Sequence, residues 1–184
     1  MTKEEINEFP IRRYDGPVHI IKTEDELLKA VEILKDETIL GFDTETRPAF
    51  RKGEHYSPAL LQLAGANDAF LFQLKQTGLP KSLKDILANP NIIKAGVSID
   101  YDISELREIS DFEPMGFVEL GNRAKELGIQ NLGLRGLAAV VLGFRISKGA
   151  STSNWENSNL THSQIAYAAT DAWVGRELYM AICS

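Results

Sequence analysis

The chain has 184 residues, of which 43% are hydrophobic and 25% charged, and its formal net charge is −6. This composition predicts one globular domain with a substantial core, and no apolar run approaches the roughly 20 residues that a membrane-spanning helix needs. An acidic balance argues against a protein that coats nucleic acid non-specifically, since such proteins are basic. The single cysteine, Cys183, excludes an internal disulfide and favours an intracellular location, most simply the cytoplasm.

The apolar segments alternate between strand-like and helix-like patterns. Residues 1–16 are polar and end at a Gly-Pro break, so we expect an N-terminal arm ahead of a domain that covers 17–184. Strand patterns lie at 18–23, 38–45, 57–68, 69–74, 91–98 and 117–120. Helix patterns begin at Thr23, Pro80, Ile99, Leu120, Asn131 and Thr161.

The order of these segments predicts the fold class. A hairpin is expected at the polar turn 66–68, and strands alternate with helices after it. Capping boxes are predicted at Thr23 and Thr161. The polar segment 143–160 predicts one long loop. The whole pattern indicates an α/β domain with a mixed central sheet flanked by helices.

Two carboxylates stand where the buried strand 38–45 ends. Asp43 and Glu45 are two residues apart, so their side chains point to the same face of the strand. Adjacent anions repel, and the pKa of each rises unless a cation lies between them. The alternative is that the strand has ended and both groups are solvated, and the pair alone leaves the two interpretations equally open.

Further acids occur at the ends of other elements. Asp171 lies among apolar residues of the last predicted helix, with Tyr167 one turn before it on the same face. The alternative is that Asp171 accepts a hydrogen bond from a nearby backbone amide and has no further role. Asp100 and Asp102 follow a strand where a helix begins, and a helix N-terminus favours one such carboxylate without requiring both.

Together these acids form a set of hard oxygen ligands, which suits Mg²⁺ or Mn²⁺. No spacing of histidine and cysteine suggests zinc. Four carboxylates that hold two divalent ions are suited to in-line displacement at a phosphodiester.

Three motifs in order carry a family resemblance: GFDTET at 41–46, KAGVSIDYDISEL at 94–106 and YAATDAWVG at 167–175. With these motifs the chain resembles the 3′–5′ exonucleases of the DEDD superfamily, in the tyrosine branch that includes RNase D and the Werner-syndrome exonuclease domain. The resemblance implies a ribonuclease H-like fold. It also implies that Asp43, Glu45, Asp102 and Asp171 are metal ligands and that Tyr167 orients the attacking water. The histidine branch would place its histidine at Ala166.

The resemblance also carries departures. Many members have Asn where this chain has Ser98, and the Werner-type domain has Arg where this chain has Ser151. The candidates for substrate contact are Thr44, Arg47, Lys148 and Trp155. A solvated loop is an equally open interpretation of Arg47 and Lys148, and core or loop packing is the favoured one for Trp155.

The expected function is therefore metal-dependent hydrolysis of nucleic acid from its 3′ end, with release of nucleoside 5′-monophosphates and with two Mg²⁺ or Mn²⁺ ions as cofactors. The partner is a nucleic-acid 3′ end, DNA or RNA, and a helicase or another protein acting in trans is compatible with this function. One alternative is a catalytically silent nucleic-acid-binding module of the same fold. Another is an Asp-nucleophile phosphatase, which the glutamate at position 45 and the lack of a role for Tyr167 disfavour.

Overall fold

A six-stranded sheet forms the centre of the fold in a computed structural model, which describes residues 1–184. Its strands are β1 (Val18–Ile21), β2 (Ile39–Glu45), β3 (Leu60–Ala64), β4 (Ala69–Gln73), β5 (Ile93–Gly96) and β6 (Phe117–Glu119). The strand order is β1-β4-β3-β2-β5-β6. β3 runs antiparallel to both β2 and β4, and the other neighbouring pairs are parallel. The predicted hairpin and mixed sheet are confirmed.

The helices are α1 (Lys3–Asn7), α2 (Glu24–Leu34), α3 (Leu74–Thr77), α4 (Lys81–Leu87), α5 (Asp100–Ile109), α6 (Leu120–Glu126), α7 (Leu134–Leu137) and α8 (His162–Ile182). Both predicted capping boxes are present: the Thr23 hydroxyl accepts from the Glu26 amide, and the Thr161 hydroxyl accepts from the Gln164 amide. None of these helices has the combination of length and hydrophobicity that crossing a bilayer would require.

Some predicted boundaries were wrong. The helix expected from Asn131 begins three residues later, after Gly133, and α7 then widens into a π-helix at Ala138–Leu142 that ends at Gly143 with φ 73°. The strand expected over 57–68 begins only at Leu60, since Pro58 has no amide hydrogen to donate to the sheet. The short helices α1 and α3 were not predicted.

Apolar packing differs between the two faces of the sheet. On one face, α2, α4 and α5 cover a core of 19 buried residues that includes Phe42, Leu61 and Leu106. On the other face, α8 packs across β2, β3, β4 and β5. Phe42 and Leu61 alternate with residues of β2 and β3 that face α8, as the two-residue period of a strand requires.

Two glycines let α8 lie directly on the sheet. A β-carbon at Gly41 would come within 1.7 Å of the carbonyl oxygen of Ala172, and one at Gly175 would come within 2.7 Å of the carbonyl oxygen of Ala95. No side chain fits in either gap. The close approach at Gly41 brings the middle of α8 against β2 two residues before Asp43.

The N-terminal arm is held to the rest of the chain by backbone hydrogen bonds. The Arg12 amide donates to the carbonyl of Arg145 over 2.9 Å, and the Arg145 amide donates to the carbonyl of Pro10 over 2.9 Å. The Tyr14 amide donates to the Thr170 hydroxyl on α8 over 3.0 Å. The arm therefore runs in contact with both the long 143–160 segment and α8.

Candidate active site

Three carboxylates meet between β2 and α8. Asp43 and Glu45 lie on the face of β2 that α8 covers, and Asp171 lies on α8 beside Ala172, which contacts Gly41. One oxygen from each carboxylate can be chosen so that all three lie within 4.8 Å of one another. The predicted convergence of strand and helix acids is therefore present in the structure.

The surroundings of this acidic cluster disfavour the ionised form of its three carboxyl groups. Burial, followed by repulsion from Asp171 and Asp102, raises the pKa of Asp43 well above its usual range. Burial and the neighbouring acids raise the pKa of Glu45 to about 10. Burial raises the pKa of Asp171 to about 7, although the Tyr167 hydroxyl and the Arg135 guanidinium act in the opposite direction.

No cationic side chain compensates the cluster directly. The salt bridges of the chain lie elsewhere, and none includes Asp43, Glu45 or Asp171. Three close carboxylates in a partly dry site are costly unless a cation neutralises them. Their hard oxygen atoms match the ligand preference of a divalent cation such as Mg²⁺ or Mn²⁺, so the residues present fit a metal.

Asp102 lies at the margin of the cluster. It is not part of the group of three, and its carboxylate accepts a hydrogen bond from the Thr44 hydroxyl. Thr44 points to the opposite face of β2 from its neighbours Asp43 and Glu45 because side chains alternate along a strand. Through Thr44, Asp102 is tied to the residue next to Asp43, and repulsion from Asp102 contributes to the raised pKa of Asp43.

The turn that leads into α5 places Asp102. Ser98 adopts a left-handed conformation with φ 58°, which serine rarely takes and asparagine tolerates better. The Glu119 carboxylate accepts hydrogen bonds from the amides of Ser98 (2.8 Å), Ile99 (2.7 Å) and Gly121 (2.9 Å). No role was predicted for Glu119, and its position at the end of the short strand β6 was the one available signal.

Tyr167 lies one turn before Asp171, as the helical spacing predicted. Burial and the nearby acids raise the pKa of its phenol, so the hydroxyl keeps its proton at neutral pH. Its ring packs against the indole of Trp155, with ring centroids 6.0 Å apart. Trp155 is 1% exposed, so the indole supports the tyrosine from within the protein and is not free to stack on a substrate base.

The remaining substrate-contact candidates differ in how free they are. Arg47 lies 3.5 Å from Glu156, and its guanidinium is stacked 4.8 Å from the centre of the Tyr56 ring. Lys148 is exposed on the long loop, and its ammonium forms no hydrogen bond or salt bridge. Thr44 is 8% exposed and already engaged with Asp102. Lys148 is thus the least committed of the four.

Gln62 is a polar residue of the site that sequence reasoning missed. It lies on β3 directly opposite Asp43 and is completely buried. Both its amide nitrogen and its amide oxygen lack a hydrogen-bond partner, although the amide is close enough to Glu45 to lower the pKa of that carboxyl. A polar residue within the apolar run of β3 was the only signal that could have identified it.

Comparisons with known proteins agree with this geometry. A family model described as 3′–5′ exonuclease matches residues 18–183. A mouse protein, Bifunctional 3′–5′ exonuclease/ATP-dependent helicase WRN, is 37% identical over 152 residues, which cover 79% of this chain and 11% of that protein. The chain thus spans about a tenth of the length of this relative.

Solved structures share the fold. The Aedes aegypti Nibbler EXO domain superposes with a TM-score of 0.83 at 22% identity, covering 94% of this chain and 90% of that one. A Trypanosoma brucei RNase D in complex with RNA U12 gives a TM-score of 0.80 at 18% identity, covering 98% of this chain and 65% of that one. The expected ribonuclease H-like α/β fold is confirmed. From the family match and these likenesses, the chain belongs to the 3′–5′ exonuclease family.

Proposed function

We propose that this chain is a divalent-metal-dependent 3′–5′ exonuclease that releases nucleoside 5′-monophosphates from the 3′ end of a nucleic acid. The observation that carries the proposal is the convergence of Asp43, Glu45 and Asp171 within 4.8 Å, with no side-chain cation paired to them. A cluster of this kind is stable in its charged form only when cations bind it.

Asp43, Glu45 and Asp171 would hold one Mg²⁺ or Mn²⁺ ion, and Asp102 beside Asp43 would help to hold a second. Such ions supply activation of the attacking water and neutralisation of charge at the leaving oxygen. Thr44 keeps the Asp102 carboxylate oriented by donating its hydroxyl hydrogen. The Gln62 amide, which is buried and has no partner within the chain, would supply a further polar group beside the Glu45 carboxylate.

Tyr167 would position the water rather than deprotonate it. Its raised pKa keeps the phenol protonated at neutral pH, so the hydroxyl can donate a hydrogen bond or accept one but does not act as a base. The Trp155 indole fixes the ring from behind. Lys148 and Arg47 are the side chains that would contact backbone phosphates nearby.

DNA and RNA are both candidate substrates. The Trypanosoma brucei RNase D was solved with RNA, and that finding describes the substrate of that protein and not of this chain. The single free cysteine supports a cytoplasmic location for this chain. The mouse relative is named as both an exonuclease and a helicase, so a helicase that acts in trans is a partner to test.

The experiment incubates 5′-labelled single-stranded DNA, recessed duplex DNA and RNA with the protein in Mg²⁺, Mn²⁺ or EDTA, beside Asp43→Ala and Tyr167→Phe. We expect a ladder that shortens from the 3′ end in metal. EDTA and Asp43→Ala should abolish it, and Tyr167→Phe should slow it about 10- to 100-fold, as expected for a residue that orients a group at a metal site. Intact substrates in every lane, together with retained nucleic-acid binding, would instead indicate a silent binding module.

A further inference from the structure

A cleft of about 350 Å³ opens beside the active site, between the N-terminal arm and α8. Tyr167 and Asp171 line its inner end, and Arg12 and Arg13 line the side formed by the arm. The first turn of α8 contributes His162 to the same cleft. The cleft therefore connects the acidic cluster to residues 1–17, which precede the region that the family model matches.

The two arginines are exposed, and no carboxylate pairs with either of them. Neither Arg12 nor Arg13 takes part in any of the salt bridges of the chain. Asp171 is the only acid that lines the cleft, and it lies at the inner end. Two unpaired guanidinium groups beside buried acids, on a chain of net charge −6, form a local positive surface suited to an anion.

The backbone that carries these arginines is fixed. Hydrogen bonds join Arg12 to Arg145 and Tyr14 to Thr170, on either side of Arg13. The Arg12 guanidinium also lies 5.3 Å from the centre of the Phe144 ring. The side chains therefore project from an anchored segment, and little ordering of the backbone is needed when a ligand binds.

The proposed reaction restricts what the anion can be. The scissile phosphodiester must lie at the acidic cluster, and the terminal nucleoside beyond it carries a 3′ hydroxyl and no further phosphate. Every other phosphate of the strand therefore lies on the 5′ side of the scissile bond. Guanidinium groups bind phosphate oxygens through paired, charge-assisted hydrogen bonds.

We propose that Arg12 and Arg13 form a phosphate-binding subsite for the substrate strand on the 5′ side of the scissile bond. The proposal rests on the exonuclease function above and extends it to the arm. The arm then serves as part of the substrate-binding surface, and contact with it lengthens the stretch of strand that the protein holds.

The test compares the wild type with Arg12→Ala/Arg13→Ala. Its matched control is Lys29→Ala/Lys125→Ala, which removes the same charge from exposed positions that do not line the cleft. Substrates are 5′-labelled 20-nucleotide single-stranded DNA and RNA and the small ester thymidine 5′-p-nitrophenyl phosphate, which has one phosphodiester and no 5′ extension. Binding of fluorescein-labelled 20-mers in EDTA is measured in parallel.

For the arginine variant we expect KM on the 20-mers to rise about tenfold with little change in kcat, because charge-assisted contacts are lost. The dependence of log affinity on log salt should flatten by about 0.7 for each phosphate contact removed. Hydrolysis of the small ester should not change. The double variant Arg12→Lys/Arg13→Lys should recover part of the affinity.

A KM and a binding affinity no weaker than those of the lysine control would overturn the subsite. An equal loss on the small ester would also overturn it, since that result indicates damage to the acidic cluster. A failure of the proposed exonuclease function gives a different result. In that case the wild type and all variants leave both kinds of substrate intact in the presence of Mg²⁺ or Mn²⁺, and the binding measurements in EDTA still test the subsite. A wild type that neither binds nor cleaves would reject both proposals.

Discussion

Ionisable side chains are buried against the sheet in two regions, and the two regions differ in whether those side chains have partners within the chain. At the end of β2, Asp43, Glu45 and Asp171 converge without a paired cation. On β5, Lys94 is completely buried, yet its ammonium donates to the carbonyls of Ile86 (3.0 Å) and Asn89 (2.8 Å). The same ammonium lies 5.2 Å from the centre of the Phe117 ring.

The difference separates a structural charge from a functional one. Lys94 has its partners within the chain, so its position is explained by the fold alone. The acidic cluster is complete only when something from outside the chain binds it. Buried groups whose partners must come from solution are where a ligand or a reaction is expected.

The largest expected effect comes from adding metal. At a Mg²⁺ concentration about 1,000 times the dissociation constant, the wild type should gain about 4 kcal/mol in free energy of unfolding. Asp43→Asn should lose most of this gain. In EDTA it should melt above the wild type, because the neutral amide does not carry the cost of burial and of repulsion by Asp171 and Asp102 that raises the pKa of the Asp43 carboxyl. Thermal melts with and without Mg²⁺ measure both effects.

The control for that comparison is Asp36→Asn, an exposed acid outside the cluster. It should keep the full response to Mg²⁺. If metal stabilised Asp43→Asn as strongly as the wild type, the ion would not bind at this cluster.

A smaller effect is expected at Lys94. Lys94→Met removes both hydrogen bonds of the ammonium and should lower the free energy of unfolding by about 1 to 3 kcal/mol at pH 7. Urea unfolding measures the loss, and exonuclease activity of the folded variant should persist. Lys29→Met, at an exposed site, should change stability by no more than about 0.5 kcal/mol.

The stability difference between the wild type and Lys94→Met should also depend on pH. Burial lowers the pKa of Lys94 to about 8, so the folded protein releases this proton before the unfolded chain does. Between about pH 8 and the ordinary lysine pKa near 10.5, the unfolded state holds more protons, and this residue makes stability rise with pH. The stability gap between wild type and Lys94→Met should widen across that window. A gap that narrowed would contradict the burial of an ionisable amine.

The smallest expected effect is a gain at Ser98. Asparagine or glycine tolerates the left-handed conformation at this position, so Ser98→Asn and Ser98→Gly should stabilise the protein by about 0.5 to 1 kcal/mol. Ser98→Ala keeps the backbone cost and serves as the matched control. Cleavage should be unchanged, since the bond from the Ser98 amide to Glu119 is a backbone contact. A stabilised alanine variant would show that the backbone conformation is not the cause.

Local periodicity predicted much of the site. The spacing of two along β2 put Asp43 and Glu45 on one face, and the spacing of four along α8 put Tyr167 beside Asp171. These relations depend only on the geometry of a single element. The order of motifs then gave the family, which the family match confirms.

Contacts between different strands and helices could not be predicted from the sequence in the same way. No local pattern shows that Thr44 would bond Asp102, that Gln62 would face Glu45, or that the arm would pack on α8. Burial of Trp155 likewise depends on how a long loop folds over β3 and β4, and loop conformation has no period from which to predict it. The separation of Asp102 from the other three acids follows from tertiary contacts of this kind.

The absence of a side chain at Gly41 has a consequence for recognising active members of the family. The distance between the strand acids and the helix acid is fixed two residues away from them, where the backbone of α8 touches β2. A chain could keep all the acids and Tyr167 and still hold them too far apart if a larger residue stood at this position. Glycine at position 41 therefore belongs with the acids among the residues that set the geometry of the site.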